Sequence, residues 1–252
     1  MKIFESHVHY DDERFDKDRD ELLEKLNEEI DVVVNIGADI ESSKRSILLS
    51  KMYDYIYAAI GVHPHDVKNL KDEDLLKLEE MAKEKKVIAI GEIGLDYYYD
   101  NSPRELQKDW FKKQLALAKK LKMPVSIHSR DASKDTFDII KASGVREGVI
   151  HCFSEGKEMA KEYVKLGYYL GIGGVLTYKN ARKLVEVVEE IDIEHLVIET
   201  DGPYLSPEPN RGKRNDSRNL KYVIAKIAEI KEMEEEEVAE ITYNNAKKMY
   251  RI

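Results

Sequence analysis

Six of the seven histidines stand at or just past the ends of short runs rich in Ile and Val, at widely separated positions: His7, His9, His63, His65, His128 and His151. Side chains on a β-strand repeat every second residue, so the imidazoles of His7 and His9 leave the same face of the first run. Two imidazoles on one face can ligate a single ion. The pattern as a whole predicts a metal site assembled from distant parts of the chain.

Two acidic residues stand at or near the ends of other runs. Glu92 lies among Ile, Ala and Gly, where an unpaired carboxylate would be costly to bury, so we expect it to be a ligand. Asp201 follows the last run and precedes Gly202-Pro203, a position that suits a ligand or an ordinary turn aspartate. Imidazole and carboxylate together suit Zn, Mn, Fe or Ni and, less well, Mg. One bridging carboxylate can hold two ions roughly 3.5 to 4 Å apart.

The elements that must position these groups are eight apolar, strand-like runs. They cover residues 2–8, 31–37, 55–62, 87–94, 124–128, 148–153, 168–173 and 195–200. Their continuous apolarity indicates burial on both faces, as in parallel sheets covered by helices. About eight alternations of strand and amphipathic segment predict an α/β fold, a (β/α)8 TIM barrel, as one domain over residues 1–252. A doubly wound open sheet is the alternative.

Helical patterns lie between the runs. The pattern after Asn101 predicts a helix with Ser102 as N-cap, Pro103 at the first helical position and a buried stripe that includes Trp110 and Phe111. Two further helices, at residues 220–231 and 235–250, are expected to close the barrel as additional C-terminal elements. In a barrel of this kind the active site lies at the carboxyl ends of the strands, where the histidines fall.

Composition excludes several classes of function. The 252 residues carry a formal net charge of −9, which argues against sequence-independent coating of nucleic acid but not against contact with a few phosphates. The longest apolar stretches have roughly eight residues, against the about 20 that span a bilayer. With no signal-peptide pattern and a single cysteine, Cys152, we expect a cytoplasmic protein with no membrane association and no obligate protein partner.

Six motifs follow one another over essentially the whole chain. They are Glu5-Ser6-His7-Val8-His9, Gly61-Val62-His63-Pro64-His65, Gly91-Glu92-Ile93-Gly94-Leu95-Asp96, His128-Ser129-Arg130-Asp131-Ala132, His151-Cys152-Phe153-Ser154 and Glu199-Thr200-Asp201-Gly202-Pro203-Tyr204-Leu205. In this order they resemble the motifs of the TatD family of metal-dependent deoxyribonucleases. The resemblance implies a TIM-barrel hydrolase with up to two divalent cations that cleaves phosphodiester bonds in DNA.

The resemblance also implies roles for individual residues. One ion would be held by His7, His9 and Asp201, the second by His128 and His151, with Glu92 as the bridge. Two ions lower the pKa of a shared water and clamp the scissile phosphate, while Asp201 orients or deprotonates that water. His63 and Arg130 are left to contact phosphate or leaving-group oxygens. For Arg130 the alternative is an ion pair with Asp131 or Asp135, and His65 is not expected to take part.

The chain departs from the family pattern at three places. Glu5 stands where the family has Asp, Gly202 where it has Ala, Ser or Cys, and Asn215-Asp216-Ser217 lacks the family's proline. Glu199 shares the inward phase of Asp201 and is expected to support the ligands. Cys152 has the opposite phase to His151, so we expect it to pack outward rather than act as a nucleophile.

Two segments are candidates for contact with DNA. Residues 205–221 form the one locally basic loop, with five Lys or Arg against two acids, and we expect Arg211 and Arg214 to touch the DNA backbone. Tyr97, Tyr98 and Tyr99 could stack on unpaired bases or simply pack locally.

The main functional prediction is a divalent-metal-dependent hydrolase of DNA, acting on single strands or 3′ ends with two cations drawn from Mg, Mn, Zn or Ni. One alternative is a barrel hydrolase of a small-molecule ester, lactone, amide or phosphotriester; many such enzymes bridge their metals with a modified lysine, where this chain has Glu92. Another is a metal-binding scaffold without turnover. The sequence leaves the ion, the polarity, RNA against DNA and the oligomeric state open.

Overall fold

Eight parallel strands form one sheet in the computed structural model, which describes all 252 residues. The strands are β1 (Phe4–Val8), β2 (Val32–Ile36), β3 (Ile56–Ile60), β4 (Val87–Asp96), β5 (Val125–Arg130), β6 (Gly148–Ile150), β7 (Tyr168–Ile172) and β8 (Leu196–Ile198). Each pairs with the next in sequence order. Between the first and last strands, Val8 forms a bridge with Gly202, and the His9 amide donates to the Gly202 carbonyl at 2.8 Å. The sheet is therefore a barrel, and the predicted TIM-barrel fold is confirmed.

Helices follow the strands around the outside. They are α1 (Arg19–Leu26), α2 (Ile40–Met52), α3 (Asp72–Met81), α4 (Arg104–Leu121), α5 (Ser133–Ser143), α6 (Lys157–Lys165), α7 (Arg182–Glu190), α8 (Leu220–Lys231) and α9 (Glu235–Tyr250). The two C-terminal helices have the predicted bounds. No helix combines the length and the apolarity that crossing a bilayer requires.

Two hydrophobic clusters follow from the alternation of side chains along the strands. The larger one packs strand residues such as Val33, Ile90 and Ile127 against the surrounding helices. The smaller one contains the residues of opposite phase, among them Phe4, Val34, Ile36, Ala59, Ala89, Val149 and Val197, together with Ala246, Met249 and Tyr250 of α9. Because interior side chains of a TIM barrel fill its centre, α9 completes this inner layer, opposite the end that carries the histidines.

Helix α4 fixes the ends of the two strands beside it. Its buried Gln114 accepts from the Val62 amide and donates to the Val62 carbonyl, at 2.8 and 3.0 Å. Gln107 accepts from the Asp96 amide at 2.9 Å and donates to the carbonyls of Asp96 and Ser102. These bonds hold the chain that leaves β3 and β4 toward the carboxyl face.

The predicted N-cap of α4 is wrong. The helix begins at Arg104 with Pro103 in the cap position and no side-chain cap. The Ser102 hydroxyl instead donates to the His65 carbonyl at 2.8 Å and accepts from the Lys68 amide. Ser102 therefore ties two loops of the carboxyl face together, a tertiary use that outweighs its local capping preference.

Gly94 marks the tightest approach between strands at the site. It pairs with His128 in the β4–β5 register, has φ of 150°, and a Cβ there would collide with the His128 carbonyl oxygen. We expect Gly94→Ala to lower the free energy of unfolding by about 3 kcal/mol or more, because backbone strain adds to overpacking. Urea unfolding measures the loss.

Gly212→Ala is the matched control, since Gly212 also has positive φ, 84°, but nothing lies within 4 Å of the position that an alanine methyl would occupy. At this position only the cost of placing an alanine at positive φ remains, so the free energy of unfolding should fall by about 1 to 2 kcal/mol. Equal losses for the two variants would contradict the packing argument.

Candidate metal centre

Glu92 lies at the centre of a cluster of imidazoles at the carboxyl end of the barrel. Its Oε2 atom is 3.6 Å from His7 Nε2 and 3.7 Å from His9 Nε2. The Oδ1 atom of Asp201 lies 3.8 and 3.5 Å from the same two nitrogens. His7, His9, Asp201 and one Glu92 oxygen thus form a first donor set.

The other oxygen of Glu92 faces a second donor set. Oε1 lies 2.8 Å from His128 Nδ1, 3.2 Å from His151 Nε2 and 3.7 Å from His63 Nε2. The two oxygens of one carboxylate therefore address two different groups of imidazole nitrogens. This is the arrangement expected of a bridging ligand.

Barrel closure brings the first set together. The Asp201 amide donates to the His7 carbonyl at 3.0 Å, so the residue that follows β8 is held against the end of β1. Asp201 has φ of 54°, in the left-handed region, and its carbonyl accepts from the Tyr204 amide. A non-glycine residue in this conformation needs surrounding bonds of this kind to hold it.

Hydrogen bonds on the far side of two imidazoles orient their ligand atoms. His9 Nδ1 lies 2.8 Å from the Ile36 carbonyl, which can only accept, so Nδ1 carries a proton. Nε2 is the atom that faces Glu92 and Asp201, and loss of its proton leaves a lone pair there for a cation. His7 Nδ1 lies 3.1 Å from the Ser126 hydroxyl. Such partners are typical of metal-ligating histidines.

The electrostatics of the cluster favour an ionised Glu92 beside protonated imidazoles. Burial alone would lower the pKa of His9, His128 and His151, but the hydrogen bonds and charges of the neighbouring carboxylates outweigh it. The pKa of His9 rises to about 9, and those of His128 and His151 rise as well. Burial alone would raise the pKa of Glu92, but the imidazoles of His151 and His63 outweigh it and hold the pKa well below its ordinary value. Burial holds the pKa of His63 well below its ordinary value, so this ring is neutral. A divalent cation can replace the imidazolium protons in compensating this buried anion, so the cluster fits a metal.

The positions of the ligand atoms are compatible with a bound metal ion. Three overlapping groups, each with ligand atoms mutually within 4.8 Å, are His7, His9 and Asp201; His7, Glu92 and His151; and His63, Glu92 and His128. His7 Nε2 and His9 Nε2 lie 3.2 Å apart, so at most one proton can lie between them. A cation would engage both lone pairs, so these residues suit a metal.

Comparison with known proteins assigns the family. The chain matches the sequence model described as TatD related DNase over residues 4–251. The chain belongs to the TatD family. It is 45% identical to the uncharacterized metal-dependent hydrolase YabD of Bacillus subtilis, over 99% of both chains. It is 38% identical to the uncharacterized metal-dependent hydrolase MJ1582 of Methanocaldococcus jannaschii, over 100% of this chain and 98% of the other.

A solved structure agrees. The crystal structure of YJJV, a TatD homologue from Escherichia coli, superposes with a TM-score of 0.94 at 30% identity, covering 99% of this chain and 98% of that one. The predicted family is thus confirmed, and the chain is a TatD-family metal-dependent hydrolase. The roles of single residues and the number of ions stay predictions.

Asp96 is a functional candidate that sequence reasoning missed. Its Oδ2 atom lies 3.1 Å from His128 Nε2 and 3.0 Å from His65 Nε2, while Oδ1 accepts from the amides of Tyr98 and Tyr99. The side chain is 1% exposed. Burial opposes its ionisation, but the hydrogen bonds of His128 and His65 outweigh this and hold its pKa well below the ordinary value. Asp96 thereby draws His65, which was not expected to take part, into contact with the site.

Glu199 lies beside His151 as its strand phase predicts. Its Oε1 atom is 3.2 Å from His151 Nδ1, in a direction that does not make a hydrogen bond, and accepts from the Cys152 amide. The fully buried carboxylate occupies the space that a side chain at position 171 would need, since a Cβ on Gly171 would collide with it. The glycine in β7 therefore makes room for this acid.

Glu5, which stands where the family has Asp, is a fully buried hydrogen-bond acceptor. The buried carboxyl accepts from the amide and hydroxyl of Thr200, at 2.8 and 2.6 Å, from the Ser217 hydroxyl at 2.8 Å and from the His7 amide at 3.2 Å. Burial raises its pKa to about 8 despite these donors. The carboxyl joins β1 to the strand end that carries Asp201 and to the segment where the family proline is missing.

Arg130 does not form the ion pair that was the alternative to a phosphate contact. Its guanidinium lies over the rings of Tyr98 and Tyr99, 4.1 and 4.8 Å from their centroids, at the exposed rim of the barrel. It makes no ion pair with Asp131 or Asp135. The catalytic role of Arg130 stays a prediction, for a residue at the mouth rather than beside Glu92.

The basic loop is largely neutralised within the molecule. Arg214 makes two bonds of 2.6 Å to Asp18, and Arg218 pairs with Asp216 at 2.8 Å. Arg211 stacks on Tyr178 and has its nearest carboxylate, Glu208, at 3.9 Å. Of the two arginines expected to touch DNA, Arg211 is less tightly paired with a carboxylate of the protein than Arg214 is.

The bonds of Asp96 predict the effect of Asp96→Asn. The asparagine amide keeps the shape of the carboxylate but points an N–H donor at His128 Nε2. His128 must then accept at Nε2, so its proton moves to Nδ1, the atom that faces Glu92. We expect divalent-metal affinity to fall about 10- to 100-fold. Isothermal titration calorimetry with Mn and Zn measures this change.

Asp100→Asn, at an exposed neighbour paired with Arg104, serves as the control. Metal affinity that is the same in Asp96→Asn, Asp100→Asn and the unmodified protein would refute the positioning role of Asp96.

Cys152 is not expected to contribute to catalysis. Burial raises the pKa of its thiol to about 12, so almost no thiolate forms near neutral pH. We expect Cys152→Ala to retain hydrolase activity and the native thiol to react slowly with iodoacetamide at pH 8. Loss of turnover in a folded, metal-loaded Cys152→Ala protein would contradict this view.

Proposed function

We propose that this TatD-family hydrolase cleaves phosphodiester bonds in DNA and uses two divalent cations. The observation that carries the proposal is the placement of Glu92, whose two carboxylate oxygens each face a separate donor set. The family description names a DNase, whereas the similar YabD and MJ1582 proteins are named only as metal-dependent hydrolases. DNA as the substrate is therefore our inference.

The proposed ligands follow the two donor sets. His7, His9 and Asp201 would hold one cation, His128 and His151 the other, and Glu92 would contact both. When bound, two cations supply Lewis acidity to the phosphate and lower the pKa of the attacking water.

The remaining steps belong to side chains. Burial would raise the pKa of Asp201, but the hydrogen bond of His9 and the charges of His151 and His7 outweigh it, so the carboxylate is ionised and can accept a proton from water. Neutral His63, 3.7 Å from Glu92, lies where it can contact a leaving-group oxygen. Arg130 at the rim can bind a neighbouring phosphate.

The proposal predicts hydrolysis of end-labelled oligonucleotides that depends on added divalent metal. Single- and double-stranded substrates are compared with Mg, Mn, Zn and Ni after treatment with a chelator. We expect Glu92→Ala to abolish cleavage, because both donor sets lose their common ligand. Glu162→Ala, at a surface residue paired with Lys165, is the control and should be fully active.

Metal content measured on the same samples tests the two-cation stoichiometry. A protein that cleaves carboxylic esters, lactones or amides while leaving DNA intact would overturn the proposal in favour of a small-molecule hydrolase. A metal-loaded protein inert on all of these substrates would favour a non-catalytic scaffold.

A further inference from the structure

The exposed tyrosines are concentrated at the mouth of the barrel. Eight large hydrophobic side chains are exposed, and the three tyrosines among them are Tyr98, Tyr99 and Tyr204, at 59%, 55% and 44%. All three lie in loops that follow strands β4 and β8 on the carboxyl face. Rings exposed beside a candidate metal centre are available to a ligand.

The first group of rings, Tyr98 and Tyr99, adjoins the second donor set. The two rings meet edge to face with centroids 4.9 Å apart, and the Tyr99 ring lies 5.3 Å from His65. Their backbone amides donate to Asp96, whose other oxygen contacts His128. These hydrogen bonds fix the backbone that carries the two rings relative to the ligands.

The hydroxyl groups of these two rings have no hydrogen-bond partner in the protein. The hydroxyl groups of Tyr98 and Tyr99 make no hydrogen bond, unlike the hydroxyl of neighbouring Tyr97, which donates to Asp135 at 2.7 Å. The Arg130 guanidinium above Tyr98 and Tyr99 forms no ion pair. An unpaired cation against an exposed aromatic pair suits a ligand that carries both a flat ring and a negative charge.

The second position, Tyr204, adjoins the first donor set. Its ring lies 6.5 Å from that of His9, and its amide donates to the carbonyl of Asp201 at 2.8 Å. Arg14 covers one face at 4.0 Å, and its charge is balanced by a bidentate pair with Asp12, at 2.9 and 3.0 Å. This position therefore offers a stacking surface rather than free charge.

We propose that Tyr98 and Tyr99 on one side and Tyr204 on the other are two subsites for nucleobases, flanking the phosphate that is cleaved. This inference rests on the proposed function and extends it to specific residues. The donor sets beside the two subsites share Glu92, so a strand that stacks at both places carries a phosphate across the metal centre. Bases within a duplex are stacked on one another, so the subsites select nucleotides with open faces.

Leucine substitutions test the subsites, since leucine retains apolar bulk and removes the ring. Tyr99→Leu and Tyr204→Leu are assayed on a single-stranded oligonucleotide and on methyl p-nitrophenyl phosphate, which has no base. We expect each variant to raise KM for the oligonucleotide about 5- to 100-fold with kcat changed less. Hydrolysis of the small diester should stay unchanged.

Two controls accompany these variants. Tyr99→Phe keeps the ring for stacking, so its KM for the oligonucleotide should lie much closer to that of the unmodified protein than to that of Tyr99→Leu. Tyr243→Leu removes a tyrosine that also has a lysine over its ring, Lys2, but lies in α9 at the opposite end of the barrel. Its KM for the oligonucleotide should not change.

The outcomes separate this inference from the proposed function. If the unmodified protein cleaves DNA and both leucine variants keep its KM, or lose activity equally on both substrates, the subsites are refuted alone. If the unmodified protein hydrolyses the small diester but neither cleaves nor binds the oligonucleotide in fluorescence anisotropy, both proposals are overturned.

Discussion

The buried carboxylate of Glu92 is the constraint on which the rest of the site depends. A glutamate that is 4% exposed inside an apolar barrel is costly unless positive charge or many donors compensate it. Here the compensation comes from imidazole nitrogens on several different strand ends, and both oxygens are used. No single strand could supply such a shell, so a stable Glu92 requires the assembled barrel.

The assembled barrel that Glu92 requires is stabilised at both of its ends, by strand closure at one and by interior packing at the other. At the carboxyl face, the pairing of Val8 with Gly202 and the bond from the Asp201 amide to His7 place the last strand beside the first. At the other end, Tyr250 of α9 donates to the Ser6 carbonyl and stacks on Phe4. Polar ligands are thereby confined to one layer, with an apolar layer beneath that excludes water.

The sequence predicted the elements whose signal is local and periodic. The eight strands, the last two helices and the inward phase of Glu199 all follow from apolar runs and side-chain alternation, and the fold was correct. The roles of Asp96, His65 and Ser102 could not be predicted, because each depends on a loop conformation that joins residues about 30 or more positions apart. The alternative ion pair of Arg130 was wrong, since its guanidinium lies over exposed tyrosine rings rather than beside an acid.

Asp96 connects a proposed metal ligand to a loop at the mouth of the barrel. One oxygen accepts from His128, and the other holds the backbone of Tyr98 and Tyr99, so a single buried carboxylate joins a metal ligand to the exposed rim. Packed groups of this kind move together rather than independently. The tyrosine loop and the ring of His128 therefore share one anchor, and the carboxylate cannot be removed from one without being removed from the other.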